Sequence, residues 1–541
     1  MLLTEPALSA GTATATALLN CLIREVCAPE QQVWPDGPHL VARLPRAGVV
    51  LRTGLARPPA GPTYRLAPPF EERRGDGWIP VPWARLADLV AGELELATGR
   101  PNPEFLAQVR DSHTALTAIL AARAGAHGDG APGDGRFAES ERSLVAGHRF
   151  HPSPKARQGA PGDWLRYSPE TRARFRPRWL AVRDDAVAEE GDAGAFAALA
   201  AHGPAAPTGH RLLPAHPWQL SLLSDRPVLR RAFAEGVVLD LGESDAEALP
   251  TSSVRTVYLP DADLFCKFSL DIRITNCVRK NAWYELSGAI VLNRLLPRMF
   301  GGLGATFLTE PAYRSVALAD RRLYEGLGVI VRQGVRGLPG TPLLAGALAD
   351  PYSTFLSSLP ALATAEEALT WWDAYVGLVA TPVLRAFLER GVVLEPHLQN
   401  VLICVDDDGM PVHAAFRDLE GTKLVAGRWD AELAAVPARV AEGLAYTPDR
   451  GWNRVVYCLL VNHLTEIAAA VADLHPELDA SLWPAARRHF TSFGHHPPVR
   501  ALLAGVPLPA KANLRARWHR SADRGAAYVP VPNPLAAPLP L

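Results

Sequence analysis

Apolar residues recur at helical spacing over Ala13–Val26, where Leu18, Leu19, Leu22 and Ile23 predict an amphipathic helix. Val41–Thr53 loses that period, and its Val49, Val50 and Leu51 read as strand. The proline-rich patch Arg57–Pro69 ends it. Further helices are expected from Pro80 to Leu96 and over Gln108–Arg123, the latter with Leu116, Ile119 and Leu120 on one face. Ala124–Gly135 is rich in glycine and has no apolar period, which makes it a loop and a domain boundary. Arg136–Gly147 then reads as a helix that delivers His148 at its end. Asp185–Ala201, alanine-rich and acidic, reads as a solvated surface element.

Short strands are expected between His210 and Arg273, at Arg211–Leu213, Val254–Leu259 and Leu264–Ile274. In the last of these, Lys267, Ser269, Asp271 and Arg273 alternate with Phe268, Leu270, Ile272 and Ile274, the pattern of a half-buried strand with one polar face. Asn281–Phe300 returns to helical spacing. Thr364-Ala365-Glu366-Glu367 is a capping box and should start another helix, which Pro382 should kink or restart and Gly391 should stop. Leu394–Val405 and Pro411–Asp418 flank Asp406-Asp407-Asp408-Gly409, a strong hairpin signal. From Asp430 to about Arg500 the chain is helical again. This order, with no βαβ period and no internal repeat, predicts an α+β fold in three units, 1–135, 136–320 and 321–541.

Charge narrows the function classes. Lysine plus arginine number 55 against 56 aspartates plus glutamates, so there is no bulk electrostatic case for nucleic acid or an acidic membrane as partner. Any cationic site must be local. Cys21, Cys27, Cys266, Cys277, Cys404 and Cys458 are scattered without a CxxC pair, which argues against a disulfide framework or structural zinc. The N-terminus lacks a signal-peptide pattern, and no unbroken apolar run reaches the roughly 18 residues needed to span a bilayer. The expectation is a soluble, cytoplasmic protein.

The chemistry-bearing residues fall in short blocks. Thr251–Thr256 joins four hydroxyls to a cation, with Ser252, Arg255 and Thr256 as candidates. Lys267 lies on the polar strand face, and Arg279 stands just before the helix expected at Asn281. Together they suit an α-phosphate and a carboxylate, since arginine grips planar carboxylates bidentately. Glu395, His397 and Gln399 alternate and would share one face of a strand. His397-x-x-Asn400, followed by Asp418, is similar to the way kinase catalytic loops hold magnesium, but there is neither a GxGxxG loop nor an Asp-Phe-Gly. His148, His151, Lys155 and Arg157 crowd a proline-held loop. His216-Pro217-Trp218-Gln219 suits structural packing with a wet edge. Phosphates need cations, and a hard Mg²⁺ needs oxygen ligands such as those of Glu395, Asn400 and Asp418.

As an ordered set these blocks resemble the siderophore synthetases that work independently of non-ribosomal peptide synthetases, the IucA/IucC family. They run GHRFHPSPKARQG (147–159), LLPAHPWQ (212–219), TSSVRT (251–256), KFSLDIRITNCVR (267–279), EPHLQN (395–400), FRDLEG (416–421) and PLPAKANLRARW (507–518). The resemblance implies a cupped-hand fold, with a thumb, fingers built on antiparallel sheet, and a helix-rich palm carrying the hairpin. It implies ATP and Mg²⁺, a polycarboxylate, most simply citrate, and an amine or hydroxyl nucleophile, and it is compatible with a homodimer. By the resemblance, Ser252, Arg255, Thr256, Lys267 and Arg279 bind ATP and the carboxylate. His397, Asn400 and Asp418 hold phosphates and Mg²⁺ with Glu395 nearby, and His148, His151, Lys155 and Arg157 surround phosphates and acid. Thr275 joins His148, His151, Arg279 and His397 in the carboxylate set, while Lys267, Arg279 and His397 carry the catalytic role.

Two departures stand out. Arg149 occupies a position where the family often has proline, and Asn513-Leu514-Arg515 follows Lys511 in place of a hydrophobic or methionine-containing run, which leaves the role of Lys511 open. An iron-reductase-like C-terminal segment is common in the family, but clustered cysteines for iron–sulfur ligation are absent here, so reductase activity is not expected. Besides acyl-adenylation of citrate, a citrate derivative or 2-oxoglutarate, the residues leave open a small-molecule phosphotransferase and a binding protein with a dead site.

Overall fold

The computed structural model describes residues 8–59, 61–125, 135–243, 245–274, 277–521 and 525–536. Thr275 lies outside the described residues, as does the side chain of Arg279, whose backbone ends the short strand Cys277–Arg279.

In the N-terminal unit, helix Ala10–Leu22 runs directly into a π-helical turn, Ile23–Cys27, and packs on helices Trp83–Thr98 and Pro103–Gly125. A five-stranded antiparallel meander from Val33 to Pro80 flanks them. The expected strand over 41–53 is two strands of this meander, His39–Arg43 and Val50–Leu55, because Pro45 and Gly48 form the turn between them. Leu18, Leu22, Val90 and Phe105 form the core here, and Leu514 and Trp518 from the far end of the chain complete it.

The middle of the chain builds a six-stranded antiparallel sheet in the order Leu249–Pro250, Thr256–Leu259, Leu264–Lys267, Val329–Gln333, Ala312–Val316, Val187–Gly191. A three-stranded sheet, with Arg178–Arg183 between His210–Ala215 and Val238–Glu243, shares its core. The acidic stretch 185–201 is therefore not a free surface element. Its strand pairs with Ala312–Val316, and Phe196 and Leu199 of helix Ala193–Ala200 are buried. The strand expected over 264–274 breaks at Phe268–Ser269, and Leu270–Ile274 leaves to form a bulged ribbon with Cys277–Arg279. Lys267 and Ser269 are consequently buried, not on a wetted face.

The C-terminal part is a helical layer over the hairpin. Thr364 caps helix Ala365–Leu388 reciprocally with Glu367, as the sequence indicates. Pro382 does not interrupt that helix: a proline removes only its own N–H, and burial on both sides of it holds the rod together. Gly391, at φ +67°, ends the run with its N–H on Phe387 O. The hairpin forms from Val401–Val405 and Pro411–Phe416, with Gly409 at φ +87° in its turn. Among the described residues one helix, Pro448–Leu474, is long and apolar enough to cross a membrane, but 94% of its apolar window is buried against the rest of the fold, as befits a core helix. Cys21, Cys27, Cys266, Cys404 and Cys458 are buried thiols.

Candidate active site

Thr256 faces Lys267 across one antiparallel pair, and Phe265 faces Arg332 across the next. Opposed residues share a face, as do residues two apart, so Thr256, Lys267 and Arg332 project to one side of the sheet. The base of the hairpin meets them there, where Arg417 N–H donates to Asn400 O at 3.0 Å and Asp418 follows.

Long-range ion pairs tie these pieces together. Lys267 Nζ donates to Asp418 Oδ1 at 2.5 Å and lies 2.9 Å from Glu420 Oε2. Arg255 donates to Glu420 Oε2 at 2.8 Å and to Asn281 Oδ1 at 2.5 Å. Arg332 donates to Glu310 at 2.5 Å and lies 3.5 Å from Asp418. Arg417 donates to Glu141 Oε1 at 2.5 Å, while Glu141 Oε2 accepts the Ser252 N–H at 2.9 Å. Gln399 Nε2 donates to Ser252 Oγ at 3.3 Å, which fastens the 395–400 turn to the 251–256 loop. Among the described side chains four cations thus face four carboxylates, and their charges balance.

Burial alone would raise the Asp418 carboxyl, but Lys267 and Arg332 outweigh it and hold it far below the carboxylate range. Glu420 is pulled down to about 2, burial again being overcome by Lys267 and Arg255. Burial opposes the charge on Lys267, yet Asp418, Glu420 and Glu310 together push its titration up. All three groups are charged at neutral pH. The Lys267 side chain is only 2% exposed, against 29% for Asp418 and 30% for Glu420, so the open side of the cluster presents carboxylate oxygens with the ammonium behind them.

Two backbone outliers sit in these loops. Val254 has φ +67° and Asp418 φ +80°, left-handed values that cost a non-glycine residue on the order of 1–3 kcal/mol. Val254 is held there by its N–H on Thr251 O (2.8 Å), and Thr251 Oγ1 braces the loop by donating to Thr256 O at 2.8 Å.

The strand expected through Glu395, His397 and Gln399 stops at Val393, and the residues beyond it form a loop closed by Asn400 N–H on His397 O. Their orientation is set by the long core helix instead of by strand alternation. Arg454 donates to Glu395 Oε1 at 2.6 Å. His463, in the π-helical segment Tyr457–Leu464, meets Pro396 O through Nδ1 at 2.8 Å. A carbonyl only accepts, so Nδ1 carries the proton and Nε2 accepts from Tyr375 O–H at 2.6 Å. Burial lowers the titration of His397, with Glu395 and Asp418 opposing and Arg454 and Lys511 reinforcing.

His148 stands beyond the early end of its expected helix, which stops at Arg142. Its Nδ1 accepts the Phe150 N–H at 3.1 Å, and its Nε2 lies 2.6 Å from Asn462 Nδ2. Surrounding protein lowers its titration, with Arg24, His397 and Lys511 acting in the same direction. Arg149 donates to Tyr64 O at 3.0 Å and pairs with Glu466 at 3.3 Å, joining N-terminal and C-terminal parts beside His148.

The structure thus brings Ser252, Arg255, Thr256, Lys267, Asn400 and Asp418 together, with His397 and His148 in a neighbouring group. Lys155 and Arg157 are engaged elsewhere: both donate to Glu170 Oε1 at 2.5 Å in a buried triad that also ties Arg157 to Ser168. His151 is buried, and its Nδ1 accepts the Ser153 N–H at 3.2 Å. His216 is packed among Tyr167, Phe175 and Phe268. Sequence reasoning missed Glu141, Asn281, Glu310, Arg332, Arg454 and Asn462. Glu420 lies inside the FRDLEG block and was legible there, whereas the others are isolated polar residues with no local signal.

Among the described residues no group of three or more His, Cys, Asp or Glu side chains is arranged to cage a metal. Mg²⁺ needs no such cage, because it takes one or two carboxylates and completes its shell with water and phosphate oxygens. The partly exposed Asp418 and Glu420, which converge on one ammonium, fit that requirement.

Comparison with known proteins adds a family and a fold. The IucA/IucC family profile matches residues 136–350, and a profile for ferric iron reductase FhuF-like transporters matches residues 369–526. The latter segment contains only Cys404 and Cys458, too few to ligate an iron–sulfur cluster. The rhizobactin siderophore biosynthesis protein RhbC of Rhizobium meliloti is 27% identical over 97% of this chain and 98% of its own length. The L-2,3-diaminopropanoate–citrate ligase of Staphylococcus aureus is 27% identical over 74% of this chain and 75% of its own. The structure of ATP-bound aerobactin synthetase IucA from Klebsiella pneumoniae superposes with a TM-score of 0.86 at 23% identity, covering 98% of this chain and 100% of that one.

Proposed function

We propose, for a chain that belongs to the IucA/IucC family of siderophore synthetases, that it joins citrate to an amine or hydroxyl nucleophile through an acyl-adenylate, consuming ATP. The observation that carries this reading is the Lys267–Asp418–Glu420 cluster, whose exposed edge is carboxylate and whose flanks are the hydroxyl-bearing loop Thr251–Thr256. An uncharged cluster has no surplus cation for a triphosphate, so a divalent metal on its exposed oxygens is the natural source of positive charge. The citrate-ligase and rhizobactin relatives support the acid and the product class, and the ATP-bound state of the structural neighbour supports the nucleotide.

Carboxylates are poor electrophiles. In the proposed reaction an oxygen of the acid attacks the α-phosphorus, the bond to the β-phosphate oxygen breaks, and pyrophosphate leaves. The lone pair of the nucleophile then attacks the acyl carbon, AMP departs with the bonding pair, and the nucleophile loses its proton. The protein contributes positioning and electrostatic stabilisation. Ser252, Thr256 and Arg255 would orient phosphates, and Lys267 keeps Asp418 and Glu420 ionised and aligned. Asp418 and Asn400, with Glu420 and Glu395 in support, would hold Mg²⁺, which when bound draws negative charge from phosphate oxygens. His397 and Lys511 border the acid. Hydroxylamine offered in place of the natural nucleophile tests this: with ATP, Mg²⁺ and citrate it should trap a hydroxamate and release AMP and pyrophosphate. ADP release without hydroxamate from citrate, its derivatives or 2-oxoglutarate would instead make the protein a phosphotransferase.

A further inference from the structure

The two ends of the chain meet at a side chain that the reaction scheme does not use. Glu25 lies in the π-helical turn Ile23–Cys27 and is fully buried. Its Oε1 accepts the Leu514 N–H and its Oε2 the Arg515 N–H, each at 2.9 Å. Those amides follow strand Leu508–Lys511 by three and four residues and open the short helix Asn513–Trp518. The two oxygens thus pin two successive backbone amides to one buried side chain. Around this clamp the N-terminal unit holds the same segment further. Leu514 and Trp518 enter its core, Asn102 donates to Trp518 O at 2.8 Å, and Trp518 Nε1 donates to Thr98 Oγ1 at 3.0 Å. On the other side, Asn513 Nδ2 donates to Phe150 O at 2.9 Å, two residues from His148. Lys511 is thus the last strand residue before a stretch fixed at both flanks, and that stretch is bonded to the loop that carries His148.

We propose that Glu25 is a positioning residue for the reaction, and that the N-terminal unit serves to hold the strand end at Lys511 against the His148 loop through the Glu25 clamp on Leu514 and Arg515. This rests on the acyl-adenylation reading, with Lys511 bordering the acid.

The test uses the full chain and citrate-dependent hydroxamate formation. Lys511→Ala should lower kcat at least tenfold. Glu25→Ala should lower it comparably, Glu25→Gln, which keeps one acceptor, should recover part of the loss, and Glu25→Ala with Lys511→Ala should be no slower than Lys511→Ala alone. Multiplying effects in the double variant would overturn the proposal, because a purely structural glutamate acts independently of Lys511. Hydrogen exchange on each purified variant supplies a readout that does not depend on activity. Glu25→Gln should lose protection at one of the Leu514 and Arg515 amides and Glu25→Ala at both, while the sheet strands keep theirs, and unchanged protection in both variants would also overturn it. An unchanged rate in Lys511→Ala would overturn it as well, whereas failure of the functional reading looks different: the wild-type protein makes no hydroxamate.

Discussion

Lys267 Nζ and Asp418 Oδ1 are 2.5 Å apart although 151 positions separate them in the chain, and the anion is the exposed partner. The pair joins the end of a sheet strand to the base of the hairpin. In doing so it turns two segments that are unremarkable alone into a surface of aligned, ionised oxygens.

Replacing Lys267 by Ala should therefore lower citrate-dependent pyrophosphate release about a hundredfold, equivalent to roughly 3 kcal/mol of lost transition-state stabilisation. It leaves Asp418 and Glu420 facing each other without their shared ammonium, so acid sensitivity should change as well. In the wild type both carboxyls titrate below their ordinary range, and the stability they contribute is lost only as pH falls through those depressed values, about 2 for Glu420. In Lys267→Ala the loss should begin at higher pH. Wild-type rates and an unshifted acid transition, measured by pyrophosphate assay and circular dichroism, would remove Lys267 from the site.

Metal dependence separates the carboxylates. Glu395 is held by Arg454 at 2.6 Å, whereas Asp418 and Glu420 have exposed oxygens. Asp418→Asn and Glu420→Gln should raise the Mg²⁺ concentration needed for half-maximal activity more than Glu395→Gln does. A Mg²⁺ titration of all three variants checks the order.

Arg332 and Glu310 form a pair with 4% and 0% side-chain exposure. Arg332→Met alone should destabilise the fold by roughly 3–5 kcal/mol, because it strands a buried carboxylate. Adding Glu310→Met should recover most of that loss in chemical denaturation, since an apolar pair of similar volume carries no desolvation penalty. Additive losses in the double variant would contradict this account.

Glu25 should write a pH signature into stability. Burial pushes its carboxyl up from 4.5 to about 7, against the Leu514 and Arg515 N–H bonds and the charges of Arg24 and Arg515. A raised folded value means that the folded state binds the proton more tightly, so its contribution is complete below 4.5 and is lost as pH rises through about 7. Relative to Glu25→Gln, wild-type stability should decline across that window by on the order of 3 kcal/mol. Parallel denaturation curves at each pH would refute the assignment.

Locally encoded features were legible in the sequence, and long-range ones were not. The Thr364–Glu367 capping box, the Asp406–Gly409 hairpin and the Gly391 stop each depend on residues a few positions apart, so a short window contains all their physics. The cationic and hydroxyl-bearing blocks could be named for the same reason: phosphate and magnesium chemistry demands particular residue types, and those types cluster along the chain. Which of them converge was decided by tertiary structure. Lys155 and Arg157 look like phosphate ligands in sequence, but a buried cation must be neutralised, and Glu170 does so. Lys267 reads as the polar face of a strand, yet the strand breaks beside it and hands it to carboxylates that lie 151 and more residues away. Glu141, Glu310, Arg332 and Glu25 left no mark at all. A single charge in a helix, strand or turn has no periodicity, and its meaning comes only from the partner that folding brings within hydrogen-bond distance.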